Sequence, residues 1–500
     1  MSARPDLPAF IEGYGPVTPW DRAAYQLPEP RASRAFRTPC RSISLLAALE
    51  ASGLSDGGTL SFHHHLRNGD ALMVETLELC SRIGLRDLHI APSSIFPCHA
   101  PLVRLVEQGV ITRITTSYMN GPVADAVMAG KLATPAVLQT HGGRAAAIED
   151  GRLGVDVAVI AAPGVDAEGN LSGAIGRAAC GPLGYAMVDA AHARHVIAVT
   201  DMPDQALPRT CIAAHHVDQI VRLDSLGDAK KIASGSTARV PGPKGDGIAN
   251  MAAELISASG LLAPQFSFQT GAGGTSLAVA QKLAPIMAER RVKGDFACGG
   301  ITAPLVEMHK AGLFRELRDV QAFDQVAVRS YATNPSHFGI SASDYASPKR
   351  ADAVAHRLSV AVLGATEVDR DLNVNVTTTS EGQIVGGSGG HSDIAEGARM
   401  TIVTTSVQSK FGPKLLSNVL HRTTPGTFVD AVVTEAGVTL ASDRWQHISK
   451  DLEEAGIPTL SRHGLFESHG DTRVHERSEG PIVGVSEYRD GRVIDVIRGN

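Results

Sequence analysis

Four stretches of this chain return, in the same order, in its second half. PLVRLVEQGVITRI begins at Pro101 and PLVEMHKAGLFREL at Pro304, an offset of 304 − 101 = 203. Each reads as an amphipathic helix closed by a glycine, Gly109 and Gly312. The same offset links VAVIAAPGVDAEGN, from Val157, to VAVLGATEVDRDLN, from Val360; both are buried strands running into turns. LSF from Leu60 corresponds to FSF from Phe266 at an offset of 206, and HVIAVTD from His195 to RMTIVTT from Arg399 at an offset of 204. Ordered anchors at nearly constant spacing make the chain two copies of one plan.

Around these anchors, short β-branched runs alternate with helical stretches of about a dozen residues, the α/β signature. The expected fold class is α/β, with two pseudo-repeated open α/β lobes. The first lobe is expected at 46–235 and the second at 250–500, the latter ending in a C-terminal hairpin. An N-terminal segment, 1–45, precedes them, and a linker, 236–249, falls in the Gly- and Pro-rich stretch SGSTARVPGPKGDG. Open α/β sheets bind ligands beyond the carboxyl ends of their strands, so the active site is expected between the two sets of turns.

Composition narrows the function. A chain of 500 residues exceeds what one hydrophobic core usually serves, and 51 glycines with only 4% aromatics suit tightly turned α/β units. The net charge of −6 and pI near 6.3 leave no basic footprint for nucleic acid. Six scattered cysteines without a C-x-x-C pair predict reduced thiols and a cytoplasmic location. The opening MSARPDLPAFIEGYG lacks the apolar core of a signal peptide, and no run approaches the roughly 20 apolar residues of a membrane span.

Where the copies differ, chemistry is expected. Glu367 stands where the first copy has Gly164, since 367 − 203 = 164, and a turn carboxylate beside a glycine loop is a candidate catalytic group. That loop, GGSGGHSDIAEGA from Gly386, can turn backbone N–H groups toward an oxyanion; Gly389 and Gly390 are assigned to catalysis and Gly387 to cofactor binding. The alternative is a plain surface turn. QTGAGGTS places Gln269, Gly271, Gly273 and Gly274 between a strand and a helix N-terminus, a candidate phosphate or cofactor cradle. It misses the dinucleotide fingerprint at Ser276, and GPKGDG lacks the Walker spacing.

SFHHHLRNGD offers His63, His64 and His65 in three readings: local structure, a metal pair, or an organic-acid site shared with Arg67 and Asn68. No HExxH or Cys/His cluster supplies a third zinc ligand, so no metal is expected. The substrate-binding set is His63, His64, His65, Arg67, Asn68 and His391.

These stretches also carry a resemblance. IEGYGPVTPW, SFHHHLRNGD, SFQTGAGGTS, GATEVDRDLNVNV, GGSGGHSDIAEGA and IVGVSEYRDGRVIDVIR together resemble the alpha chain of citrate lyase, its citrate CoA-transferase subunit, over nearly the whole chain. A wider likeness reaches the CoA-transferase superfamily, whose T-E-x-G segment appears as Thr434-Glu435-Ala436-Gly437. The resemblance implies CoA-transferase-type lobes and a role in citrate fermentation: acetyl thioester plus citrate gives citryl thioester plus acetate. It implies a CoA-derived prosthetic group on a separate acyl carrier (gamma) subunit, a beta subunit that cleaves citryl thioester, and an oligomeric complex. Free acetyl-CoA is an expected alternative donor. Superfamily members with a covalent route use a Glu at the position of Glu367, whereas the citrate enzymes are grouped with direct attack through an anhydride; the role of Glu367 stays open between nucleophile and positioning. Competing readings are a carrier-linked transferase for citramalate or malonate, a dinucleotide-binding oxidoreductase resting on GAGGTS, and a noncatalytic scaffold subunit.

Overall fold

The structure, a computed structural model, describes residues 7–23, 25–232, 241–271, 273–441, 443–471 and 473–499. Runs such as VAVIA and VAVLG are apolar or small at every position, which suits strands covered by helices on both faces; all five residues of Val157–Ala161 are buried.

In the first lobe, β1 (Cys40–Ser42), β2 (Thr59–Phe62), β3 (Leu88–Pro92), β4 (Ile111–Thr116), β5 (Ala136–Leu138), β6 (Val157–Ala161), β7 (His195–Thr200) and β8 (Gln219–Arg222) form a parallel sheet in the order β5-β4-β3-β2-β6-β7-β8-β1. In the second, β9 (Ser267–Thr270), β10 (Gly294–Ile301), β11 (Phe314–Ala322), β12 (His337–Gly339), β13 (Val360–Gly364), β14 (Met400–Thr404) and β15 (Ala431–Thr434) lie in the order β12-β11-β10-β9-β13-β14-β15, with antiparallel β16 (Gly437–Leu440) at the edge. Strands β2 to β8 therefore match β9 to β15 one for one, and strand order reverses between β2 and β6 as it does between β9 and β13. The repeat extends to register: Gly164 pairs with Ser172 in one hairpin and Glu367 with Asn375 in the other, both partners shifted by 203 (367 − 164 and 375 − 172).

Two boundaries differ from the sequence reading. The closing hairpin, β17 (Ile482–Glu487) and β18 (Val493–Arg498), leaves the second lobe and pairs β17 parallel to β5, completing a ten-stranded sheet in the first. Without it β5 would present an open edge. The N-terminal segment packs there too: Trp20 is buried against Tyr488 with ring centroids 4.9 Å apart, and its backbone N–H donates to the carbonyl of Val493 at 2.8 Å. Of the expected linker, 236–240 lies outside the described residues, and the remainder runs into the helix Pro243–Ala258. Pro243 occupies the first helical position, where no N–H is required, and Ile248, Ala249 and Ala252 bury against the second lobe.

The lobes meet through glycines. A Cβ on Gly387 would stand 2.4 Å from the Ser117 carbonyl oxygen, and one on Gly184 would stand 2.6 Å from that of Val320. Because 387 − 184 = 203 and 320 − 117 = 203, this is one contact made twice with the lobes exchanged, the hallmark of two-fold packing. No helix among the described residues is long and apolar enough to cross a membrane.

Candidate active site

A cavity of about 360 Å³ opens between the lobes at the carboxyl ends of β2, β9 and β13, the switch points of both sheets. The first lobe contributes His64, Arg67, His141 and Tyr185; the second contributes Gly271, Gly273 and the loop from Gly387 to His391.

The three histidines leave β2 in a buried turn. His63 and His65 face each other Nδ1 to Nδ1 at 2.8 Å, so no more than one of these nitrogens carries a hydrogen. Their outer nitrogens stand 3.0 Å and 3.2 Å from the carbonyls of Ala161 and Val320; two neutral rings bring two N–H groups to these three contacts. His64 takes the other side, with Nδ1 on the Ser93 hydroxyl at 2.6 Å and Nε2 donating to Gln321 Oε1 at 2.8 Å. Burial pushes all three imidazoles toward the neutral form, with Asp70 and Asp189 opposing this at His63. His64 reaches the cavity, while His63 and His65 brace the wall behind it and carry His65 onto the opposite lobe. Among the described residues no group of three His, Cys, Asp or Glu side chains is placed to hold a metal ion.

Arg67 lies in the left-handed backbone region at φ 53°, a costly conformation for a side-chain-bearing residue. It projects its guanidinium over the Phe323 ring of the other lobe, 4.0 Å from the centroid. Burial lowers its basicity to about 10, so it stays charged at neutral pH. Asn68, expected beside it, is exposed and does not line the cavity: the tight turn Arg67–Gly69 carries it to the outer face.

The glycine loop does something other than expected. Gly389 adopts φ 51°; its N–H donates to the Ser117 carbonyl at 3.1 Å and its carbonyl accepts from His141 N at 2.8 Å. Its amide is spent on joining the lobes, so it is not aimed at an oxyanion. A Cβ on Gly390 would sit 2.8 Å from the Tyr345 hydroxyl, so this glycine also serves close approach. Both residues nevertheless line the cavity, as do Gly387, Gly271, Gly273 and Gln269. Gln269 is fixed by its Nε2 donating to Tyr345 Oη at 2.7 Å and by Cys298 Sγ donating to Oε1 at 3.3 Å. Gly273 caps the helix Gly274–Glu289 and has open space where a Cβ would lie; Gly274 is that helix's first residue and is set back from the cavity. His391 lines the cavity with both nitrogens committed, Nδ1 on Thr424 Oγ1 at 2.8 Å and Nε2 donating to the Gly364 carbonyl at 3.0 Å; burial lowers it to about 4.

Glu367 stands apart. Its residue is 1% exposed and absent from the cavity wall. Pairing with Asn375 across the hairpin turns the carboxylate toward Asn375, whose Nδ2 donates to Oε2 at 2.8 Å, and the Ser380 hydroxyl donates to Oε1. Both oxygens are thereby occupied away from the cleft. Glu435 of the T-E-x-G segment likewise pairs with Lys244 at 2.9 Å.

Sequence reasoning passed over His141, Tyr185 and Asp393. The signal was available for His141: QTHGG, from Gln139, follows strand β5 and opens the helix His141–Asp150 with Thr140 as its cap, the same strand-glycine-helix pattern that drew notice to QTGAGGTS. Asp393 caps the same helix from the other lobe, accepting from Thr140 Oγ1 at 2.8 Å and Gly142 N at 2.9 Å. Burial pushes its carboxyl up to about 6, against the pull of Arg489.

Two parallel sheets facing across a glycine-lined cavity form a CoA-transferase-like fold. A malonate decarboxylase alpha subunit from Acinetobacter baumannii has this fold at 14% identity, with a TM-score of 0.61 over 83% of this chain and 88% of its own. A citrate lyase alpha subunit from Streptococcus mutans, solved in complex with citrate, superimposes with a TM-score of 0.89 at 38% identity, covering 96% of this chain and 95% of its own. The citrate lyase alpha chain of Escherichia coli (strain K12) is 41% identical over 485 residues, 95% of this chain and 94% of that relative. The family model "Citrate lyase, alpha subunit (CitF)" matches residues 40–499, and the chain belongs to this family.

Proposed function

We propose that this chain is the acyl-exchange transferase of a citrate lyase, converting acetyl thioester and citrate to citryl thioester and acetate. The observation that carries this reading is the interlobe cavity itself, polar and cationic on one wall and glycine-lined on the other, in a chain 38% identical to a relative solved with citrate. Arg67 supplies a fixed positive charge for a tricarboxylate, and His64 and Tyr185 crowd the same wall.

A carboxylate oxygen of citrate bonds to the acetyl carbon while the carbonyl π pair moves onto its oxygen. Collapse restores the carbonyl and breaks the carbon–sulfur bond; the released thiolate then opens the mixed anhydride, giving citryl thioester and acetate with no net proton change. A CoA-derived group on an acyl carrier subunit supplies the thioester, and the open space beside Gly273 in the cavity wall fits a slender arm of that kind. The chain's part is to hold citrate, to exclude water and to meet developing charge with N–H donors. Burial of Glu367 and the occupation of both its oxygens favour direct attack by citrate over a glutamyl thioester. Beta and gamma subunits are the expected partners, and six free cysteines suit a cytoplasmic complex.

The test is acyl exchange from acetyl-CoA or acetyl-carrier into citrate, citramalate and malonate. Transfer to citrate at a kcat/KM at least about tenfold above the other acids is expected; preference for malonate or citramalate would overturn the assignment. Hydroxylamine or borohydride trapping that marks Glu367 would overturn the direct route.

A further inference from the structure

Among the described residues His64, His141 and His391 line the cavity with His63 and His65 behind the wall, and in all of these but His141 each ring nitrogen stands within hydrogen-bond distance of a protein atom. His141 differs. Its Nδ1 is buried without a hydrogen-bond partner, and no partner engages Nε2 among the described residues, although the ring lines the cavity. The ring is firmly placed all the same. It packs 4.5 Å from Tyr185 and lies 5.7 Å from His64 at an interplanar angle of 15°, and its backbone N–H is tied to Gly389. A buried polar group without a partner costs about 1–3 kcal/mol, so a fixed imidazole of this kind does not repay its burial through structure alone.

We infer that His141 is the histidine that touches substrate, donating a hydrogen bond from Nε2 to the oxygen that becomes negative when citrate adds to the acetyl thioester. This rests on the acyl-exchange reading above. The oxygen gains the π pair as the new carbon–oxygen bond forms, and returns it as the carbon–sulfur bond breaks; the Nε2 proton stays on the ring throughout. A neutral imidazole can fill this role, donating from Nε2 while the unpartnered Nδ1 carries no proton. Burial, followed by the positive charge of Arg144, lowers its basicity to about 3. The groups around it are Arg144, paired with Asp189, His64 and Tyr185 at its faces, and Asp393 at the N-terminus of its helix. A neutral imidazole at a helix N-terminus is a known way to polarise a carbonyl without transferring charge.

The experiment compares wild type, His141→Phe and His141→Gln in the full chain with acetyl-carrier and citrate. Loss of one donor to a developing oxyanion costs about 10²–10³ in kcat. His141→Phe is therefore expected to lose that much kcat, with citrate affinity by calorimetry within about threefold and an unchanged thermal transition, and His141→Gln to recover at least part of the loss. A folded His141→Phe protein with kcat within threefold of wild type would overturn the inference while leaving the exchange reading intact; a wild-type protein that exchanges nothing into citrate would overturn both. Should the Phe variant fail to fold, the nitrogen-15 shift of wild-type His141 Nε2 decides: it is expected to move when citrate and acetyl-CoA are added together, and an unmoved signal under turnover overturns the role.

Discussion

The turns after β2 and β9 occupy equivalent places in the two lobes, yet one reads HHHLR and the other GAGGT. The strands themselves align at an offset of 208 (267 − 59 and 270 − 62), two residues beyond the sequence match, so His63 corresponds to Gly271, His65 to Gly273 and Arg67 to Thr275. The first lobe fills its turn with imidazoles and a guanidinium, and the second empties the same turn of side chains. Duplication has divided the labour: one copy supplies charge and donors, the other supplies room. The same split recurs at the hairpins, where Gly164 is packed against Ile175 while Glu367 holds a buried polar cluster, and in the loop helices, where Asp393 corresponds to Val188, each five residues before its helix's C-cap (398 − 393 and 193 − 188).

The largest effect is expected where the lobes are still alike. Gly387→Val and Gly184→Val each drive a side chain into the opposite lobe's backbone and should destabilise by about 3 kcal/mol or more by denaturant titration; if only one of them does, the two contacts are not equivalent. Arg67→Gly takes the charge out of the first lobe's turn and gives it the bare backbone of the second lobe's glycine turn. It should raise the KM for citrate about 100-fold through loss of a charged partner, while thermal stability changes little because the left-handed backbone is relaxed. An unchanged KM would dissolve the division of labour.

Asp393→Asn probes the carboxylate that Val188 lacks. A carboxyl raised to about 6 when folded contributes stability below its unfolded value near 4 that is lost as pH rises through 6. Unfolding free energy of the wild type should therefore fall on the order of 2 kcal/mol across pH 4 to 6 through this group, and the Asn variant should lack that share of the slope. Glu367→Gln is the mildest: an amide in place of a carboxylate loses one of two donated bonds, about 1 kcal/mol of stability, with exchange kcat within about threefold of wild type. A large loss of kcat in a stable protein would return Glu367 to the chemistry.

The repeat made the likeness of the two sheets legible, because aligning the halves pairs their strands and even their hairpin register, although the strand order itself is seen only in the structure. It also drew attention to both cavity-forming turns. What it could not convey was direction. Glu367, expected in a turn, opens the short hairpin strand Glu367–Asp369, and whether its carboxylate faces the cleft or Asn375 depends on that hairpin's pairing, which composition does not encode. Glycines in GGSGGHS signalled close approach, and only the opposite lobe's backbone reveals that much of that approach joins the lobes. His141 is a lone histidine in sequence and becomes distinctive only once its neighbours' hydrogen bonds are known. The pairing of β17 with β5 joins residues far apart in the chain and leaves no local trace.

That pairing bears on how the protein is made. Synthesis runs from the N-terminus, so β5 emerges long before the strand that completes its sheet, and its outer N–H and C=O groups stay unpaired until Ile482–Glu487 has left the ribosome. From the emergence of β5 until that of β17 the nascent chain carries a sticky edge. A transcript or chain cut short before Ile482 would therefore yield a product marked for aggregation or chaperone capture, whatever the state of its cavity.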